Sequence, residues 1–316
     1  AAAWRRQDCR LEETTNAYRV IHGDSDGLGG LIVDRYAGVL VVQTLTMAMY
    51  QRLGLIKDIL GDLFQPRSII VRNDSPMLVA EGIEQETYVA LGEQPEPFVA
   101  SGRGIKFMVD LATGQKTGLY LDQLQNYQEV ARLARGRRVL DCFCNQGGFA
   151  LACAKAGAAS VTAVDISEDA IASVRKNAEL NGVEIEAVAE NAFDFLKRES
   201  DKVRNGADPK WDMIILDPPS FTRNKKSLNG ALRGYKEIHL RAMQMLPVGG
   251  VLSTFSCSHH ISANLFKETI CDAAVDGHCT LRQTHVHGQS PDHPILLNIP
   301  ETEYLKGFSF EMVPGR

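Results

Sequence analysis

The sequence predicts an α/β protein, in which a small α+β unit precedes a doubly wound, mostly parallel sheet. Three observations carry the prediction. From about residue 101, short apolar runs alternate with segments of helical periodicity, the pattern of helices packed over a parallel sheet. A glycine-rich stretch, Asp141-Cys142-Phe143-Cys144-Asn145-Gln146-Gly147-Gly148-Phe149, joins the first of these runs to the first of these helices. Ahead of it, hairpin and turn signals dominate, and Gly92-Glu93-Gln94-Pro95-Glu96-Pro97 reads as a linker with two prolines and no periodicity. The expected division is a lead-in over residues 1–12, an α+β domain over 13–98 and the doubly wound domain over 99–316.

The elements follow in order. Gly23 to Gly30 is turn chemistry. Leu31–Asp34 and Val39–Gln43 flank Tyr36-Ala37-Gly38 and predict a hairpin. Residues 50–64 have helical spacing, and Ser68–Arg72 predicts a strand. In the second domain Arg138–Phe143 is the first strand, and a helix from Phe149 to Ala156 is closed by Gly157. Ser160–Asp165 is the second strand, followed by a helix over Glu168–Leu180 that stops at Asn181-Gly182. Glu184–Ala189, residues 211–217 and residues 250–257 make the third to fifth strands, with a helix near 231–246. Cys279 to Arg316 is expected to add edge strands.

Bulk properties exclude several classes. The chain has 316 residues, enough for about two domains. Its composition, 44% hydrophobic and 23% charged, is that of a globular protein, and no apolar run approaches the ~20 residues of a membrane span. Seven cysteines in a chain this long argue against a disulfide framework and for a reducing, cytoplasmic setting. A net charge of −5 excludes a purely electrostatic nucleic-acid binder but leaves room for a local basic groove.

The glycine-rich loop points to a cofactor at the carboxyl edge of the sheet. It lacks the G-x-G-x-x-G of nicotinamide sites. Its acidic residue at the strand end, Asp141, with paired glycines several positions later, is the S-adenosylmethionine variant, in which a carboxylate suits an ammonium group. Asp165 ends the next strand, where it would meet ribose hydroxyls. Without Asp165 the loop would read as a turn that merely packs helix on strand. Asn191 is either the partner of an adenine amino group, with Ala192 or Phe193 against the ring, or a helix N-cap. Cys142 and Cys144 have the wrong spacing for zinc and read as small core side chains. His278, His285, His287 and His293 lack regular metal spacing, so no metal is expected.

Two strand ends carry the chemistry. Asp217-Pro218-Pro219-Ser220-Phe221 ends the fourth strand, where prolines force the chain to turn and expose a carboxylate. Ser256-Cys257-Ser258 ends the fifth. A thiolate adding to carbon-6 of cytosine would activate carbon-5, with Asp217 holding ring nitrogen 3. Alone, Cys257 would read as a buried small residue; after the fifth strand, opposite Asp217, it reads as a nucleophile.

Lys116 to Gln123, Asp141 to Phe149, Asp217 to Phe221, Gly230 to Lys236 and Phe255 to Ser258 together resemble the RlmI-type large-subunit ribosomal RNA cytosine-5 methyltransferases. The resemblance extends to His22–Leu28, Asp292-His293-Pro294 and Tyr304–Phe308. It implies a Rossmann-like methyltransferase domain with a mostly parallel seven-stranded sheet, S-adenosylmethionine as cofactor and 23S ribosomal RNA as partner. It implies Cys257 as nucleophile and Asp217 as its cytosine partner. Asp141, Phe143, Asn145, Gly147, Asp165, Asn191, Asp217 and Pro218 would hold the cofactor, with Thr117, Tyr120 and Gln123 nearby. Pro219, Ser220, Arg223, Lys225, Arg233 and Tyr235 would face substrate. Arg223-Asn224-Lys225-Lys226 reads as a backbone clamp or a solvated loop, and Arg233, Tyr235 and Lys236 as an RNA-facing or simply exposed helix side. Ser220 stands where many cytosine-5 RNA methyltransferases carry a second cysteine, which leaves the base that removes the carbon-5 proton unassigned. The family begins with an RNA-binding PUA domain, of which residues 1–12 would be a remnant. A homodimer is left open. The competing readings are a ribosomal guanine methyltransferase, which needs no thiol, and an RNA-binding or assembly factor on a decayed fold.

Overall fold

The computed structural model describes residues 1–75, 77–111, 118–222 and 227–315. The chain forms two compact units, Ala1–Leu124 with Ser290–Thr302, and Gln125–Gln289 with Glu303–Arg316.

The first unit is built on strands β1 (Ala17–His22), β2 (Leu31–Tyr36), β3 (Val39–Thr44), β4 (Ser68–Asn73) and β5 (Glu86–Gly92), hydrogen-bonded in that order. The β2–β3 hairpin turns at Ala37, whose φ of 53° is left-handed, and at Gly38. Only β3 and β4 run parallel, across the connection made by helices α1 (Met47–Tyr50) and α2 (Leu53–Phe64). Tyr18, Val20, Leu31, Val33, Leu40, Val42, Leu60 and Ile69 form the core. After the short helix α3 (Met77–Ala80) and β5, the unit continues past the Gly92–Pro97 stretch. Strands β6 (Phe98–Gly102) and β7 (Ile105–Val109) pair as a hairpin, and Thr15 bridges to Gly102.

The segment 290–302 joins this unit through buried charge. The Arg5 guanidinium donates to both oxygens of Asp26, at 3.0 and 2.8 Å, and to the Asp292 carbonyl at 2.8 Å. The Asp292 carboxylate accepts from the Arg19 amide at 2.7 Å. Periodicity carries no trace of this return, because it is made by single polar contacts and not by an element.

The second unit contains the doubly wound sheet. Helix α4 (Leu124–Ala131) leads into β8 (Arg138–Cys142), α5 (Gly148–Lys155), β9 (Ser160–Asp165), α6 (Glu168–Asn181), β10 (Glu186–Ala189), α7 (Ala192–Arg204) and β11 (Met213–Leu216). Then come α8 (Leu228–Gln244), β12 (Val251–Ser256), α9 (Ala263–Asp276), β13 (Thr280–Gly288) and β14 (Lys306–Val313). The seven strands are ordered β10-β9-β8-β11-β12-β14-β13. Pairing is parallel from β10 to β12 and antiparallel for β14 against both β12 and β13. The expected mostly parallel seven-stranded sheet is therefore present, with the chain's last strand inserted beside β12 and not at the edge.

The central strands are apolar on both faces because helices cover both, as in other parallel sheets. Ile214, Leu216, Leu252 and Phe308 are buried with Tyr235, Ile238 and Phe266 from the helices. Strand order reverses between β8 and β11, so their carboxyl ends open on the crevice where such sheets bind ligands.

Candidate active site

The crevice is walled on one side by the loop after β8. Phe143, Asn145 and Gly147 all have left-handed φ, of 63°, 47° and 83°. A conformation that side chains rarely adopt at two positions in five residues is a strained turn of the kind held by functional sites. Gly148 must be glycine, since a Cβ there would lie 2.2 Å from the Tyr127 ring.

Asp141, the last but one residue of β8, is fully buried. One carboxylate oxygen accepts from the Ala150 amide at 3.0 Å; the other has no protein partner. Burial pushes this carboxyl well above the usual range against the Ala150 bond, and the charges of Asp217 and Asp165 push it further. Three neighbouring carboxyls, one with a buried oxygen that has no protein partner, favour a cation at this place. The ammonium and sulfonium of S-adenosylmethionine supply that charge, so the residues present fit this cofactor.

Asp165 ends β9. Its two oxygens accept from the amides of Asn145 at 2.9 Å and Ser167 at 3.0 Å, so it braces the loop as well as facing the crevice. Asn191 caps α7, its side-chain oxygen accepting from the Phe193 amide at 2.9 Å. The cap reading describes this oxygen, which is the one side-chain atom of Asn191 that could also have accepted from an adenine amino group. Beyond it stand the aromatic rings of Phe143, Phe193, Phe221 and Tyr235. Phe193 lies 6.1 Å from Phe143 and 5.6 Å from Phe221, and Phe221 lies 4.6 Å from Tyr235. This row runs from the cofactor loop to the β11 turn. Sequence reading named the four residues in separate segments but did not join them as a row, because the rings are far apart in the chain and follow no period.

Asp217 leaves β11 beside β8, its amide 3.4 Å from the Cys142 carbonyl. Pro219 and Ser220 follow, exposed. Cys257 leaves β12 two strands from Asp141 and is half-buried, whereas Cys142 and Cys144 are buried. Burial pushes both of those thiols well up, as expected for small core side chains. Tyr235 is bonded to the end of β12, with its ring against Phe221 of the β11 turn. Its hydroxyl lies 3.0 Å from the Ser256 hydroxyl and 3.2 Å from that of Ser258. Burial pushes this phenol up to about 12, and the charges of Cys257 and Asp217 both add to the shift.

Tyr235 was expected on the RNA side of its helix, and the structure corrects this. It is fully buried, with its ring against Phe221 and Phe266, so its work is internal to the site. Arg233, on the same helix, is exposed, and Lys236 is ion-paired to Asp276 at 2.8 Å. Tyr120 and the buried Gln123 belong to the first unit, at a 3₁₀ turn over Leu121–Gln123. Thr117, Arg223 and Lys225 lie outside the described residues. The histidines divide: His293 is in the first unit against Asp292, and His287 is buried in the second between Glu129 and Ser309. Among the described residues no group of three or more His, Cys, Asp or Glu is placed to hold a metal ion.

A residue to which the sequence reading gave no role is Lys306. Its Nζ donates to the carbonyls of Ser258 at 2.7 Å and Ile261 at 2.6 Å, directly under the loop that carries Cys257. A lysine opening the otherwise apolar strand Lys306-Gly307-Phe308 was the available signal.

A family model described as S-adenosylmethionine-dependent methyltransferase matches residues 26–292. The chain belongs to this family. The methyltransferase is 40% identical over 318 residues to the "Ribosomal RNA large subunit methyltransferase I" of Erwinia tasmaniensis, spanning 99% of this chain and 79% of that protein. It is 42% identical over 295 residues to the protein of the same name from Aeromonas hydrophila, spanning 92% and 73%. These relatives bear out the family resemblance read from the motifs. Among solved structures, SMU.776 complexed with SAH matches with a TM-score of 0.83 at 24% identity over 98% of this chain and 79% of that one. Trm5b from Pyrococcus abyssi matches with a TM-score of 0.64 at 17% identity over 89% and 75%. At these identities the two structures bear out the fold. Among the described residues of the methyltransferase, no helix is long and apolar enough to cross a membrane.

Proposed function

We propose that this methyltransferase forms 5-methylcytosine in the 23S RNA of the large ribosomal subunit, through a covalent adduct between Cys257 and cytosine carbon-6. The names of the relatives support the RNA class. The observation that carries the reading of the chemistry is Cys257 itself: a half-buried thiol at the end of β12, whose neighbour Ser258 is hydrogen-bonded to Ser220 in the turn that begins with Asp217.

Cytosine carbon-5 is a poor nucleophile. Addition of the Cys257 sulfur to carbon-6 forms a C–S bond and moves the ring's 5,6 electron pair toward carbon-5. Asp217 accepts a hydrogen bond from the protonated nitrogen 3 of that adduct. S-adenosylmethionine, when bound, would supply an electrophilic methyl group that carbon-5 takes with that electron pair, leaving S-adenosylhomocysteine. Removal of the carbon-5 proton returns the electron pair to the ring and expels the Cys257 thiolate.

Asp141, Phe143, Asn145 and Gly147 of the loop, with Asp165, Asn191, Asp217 and Pro218, form the cofactor side. Pro219, Ser220 and the exposed Arg233 form the RNA side. A target base in structured RNA would be unstacked into the crevice at a cost of about a few kcal/mol. RNA carrying 5-fluorocytidine tests the reading, because a fluorine at carbon-5 cannot be removed as a proton. The wild-type protein with S-adenosylmethionine is expected to accumulate a covalent RNA adduct, and Cys257→Ala to form none. An undiminished adduct in Cys257→Ala overturns the nucleophile.

A further inference from the structure

Lys306 opens β14 and pairs in register with Ser256, one residue before Cys257. Its two bonds, to the carbonyls of Ser258 and Ile261, span the loop from the nucleophile to the start of α9. The residue is only 8% exposed, and the bonds of its Nζ are to backbone carbonyls. A buried ammonium resting on neutral carbonyls is unfavourable for folding, and such groups are rare unless they serve something else. Burial draws its titration down to about 8, while the neighbouring Cys257 pulls the other way. The other titratable groups facing this spot are Glu303, His259 with His260 beside it, Tyr235 and Asp217. Burial lowers His259 and the charge of Lys306 lowers it further. Burial holds the Tyr235 phenol high, so Lys306, tied to two carbonyls, is the positively charged group fixed at this spot.

We propose that Lys306 is the positioning residue of the nucleophile: it fixes the 257–261 loop through two carbonyls and sets its ammonium beside the Cys257 thiol, favouring the thiolate. The inference rests on the reading of Cys257 as the nucleophile. The thiol proton leaves to solvent and Lys306 keeps its own, so no proton passes between them. A cation beside a cysteine favours the nucleophilic form in this way.

The test is the pH profile of Cys257 alkylation by iodoacetamide, read on the Cys257 peptide by mass spectrometry so that the exposed Cys271 does not contribute. Lys306→Gln keeps N–H donors for the loop and removes the charge. Its midpoint is expected about one pH unit or more above wild type, with adduct formation on 5-fluorocytidine RNA slowed about tenfold at neutral pH. Lys306→Arg is expected to recover most of the wild-type profile. A Lys306→Gln profile superimposed on wild type overturns the proposal, as does faster alkylation at every pH with an unmoved midpoint, which would mean that the side chain only holds the loop. Where Lys306→Gln fails to fold, Lys306→Arg decides alone: a midpoint displaced by as much as one unit overturns it. None of these readings depends on Cys257→Ala, whose retained adduct would instead overturn the nucleophile.

Discussion

The Ser220 hydroxyl lies 2.9 Å from the Ser258 hydroxyl, so the turn after β11 and the turn after β12 are bonded to each other. Ser258 is also 3.2 Å from the Tyr235 hydroxyl, and it is fully buried. Ser258→Ala removes the shared group and leaves two hydroxyls to find other partners. The expected cost is about 1–2 kcal/mol in unfolding free energy. Turnover is expected to fall about tenfold, because Asp217 and Cys257 lose their common brace. Affinity for S-adenosylmethionine should hold, since the loop after β8 is untouched. Urea unfolding, calorimetry and steady-state kinetics check the three parts, and a cofactor affinity that collapses with turnover would contradict the assignment.

Tyr235 serves as a hydrogen-bonding post and not as an acid. Its phenol sits at about 12, far from working pH, chiefly because it is buried. Tyr235→Phe keeps the ring against Phe221 and Phe266 and removes only the hydroxyl. The rate is expected to drop about threefold to tenfold while the pH–rate profile keeps its shape. A profile whose alkaline limb moves in the variant would show that the phenol titrates in the reaction after all.

The sheet was legible because it repeats. Buried runs such as Met213–Leu216 and Val251–Ser256, each followed by an abrupt turn, state both the strand and its end. The position of Asp141, Asp217 and Cys257 at strand ends was legible for the same reason, and strand ends beside a switch point are where such sheets bind ligands. Other features were not, and each is a matter of side-chain direction. The spacing of α8 does set Tyr235 on the stripe of Ala231, Ile238 and Ala242, with Arg233 off it, but spacing does not say that its hydroxyl meets Ser256. Lys306 looks like an interruption of β14 until the β12–β14 register sets it beside Ser256. The return of residues 290–302 to the first unit rests on Arg5 and Arg19 finding Asp292, a pairing without period or motif.

Asp141 illustrates a site that opposes folding. Its carboxyl titrates well above the ordinary value in the folded protein, for which burial is the main cause. The folded state therefore holds a proton more tightly than the unfolded chain, and ionising the group at neutral pH weakens the fold. Asp141→Asn preserves the shape and the bond from the Ala150 amide while removing the charge. The unliganded variant is expected to be as stable as wild type or more stable by about 1 kcal/mol. Its affinity for S-adenosylmethionine is expected to fall at least about tenfold, because the ammonium loses its counter-charge. Thermal unfolding with and without cofactor separates the two effects. A variant that is both less stable and equally good at binding would remove Asp141 from the cofactor site.

His239 should make the second unit acid-sensitive. It is fully buried in α8 with Nε2 2.8 Å from the Thr254 hydroxyl, and burial draws its titration from 6.5 down to about 3. Below pH 6.5 the unfolded chain takes up a proton that the folded protein refuses until about pH 3. Stability contributed by the neutral ring is thus fully present above 6.5 and is lost as pH falls through this window, by about 1.4 kcal/mol per unit at most. His239→Gln offers an amide to Thr254 and does not titrate. It is expected to be less stable at pH 7, by about 1 kcal/mol for the altered packing, yet to lose less on acidification. Buried His287, also lowered by burial, keeps part of the slope in place. Urea midpoints at pH 7, 5.5 and 4.5 read the slope as an order-of-magnitude test. Parallel lines for wild type and variant would show that His239 takes no part in it.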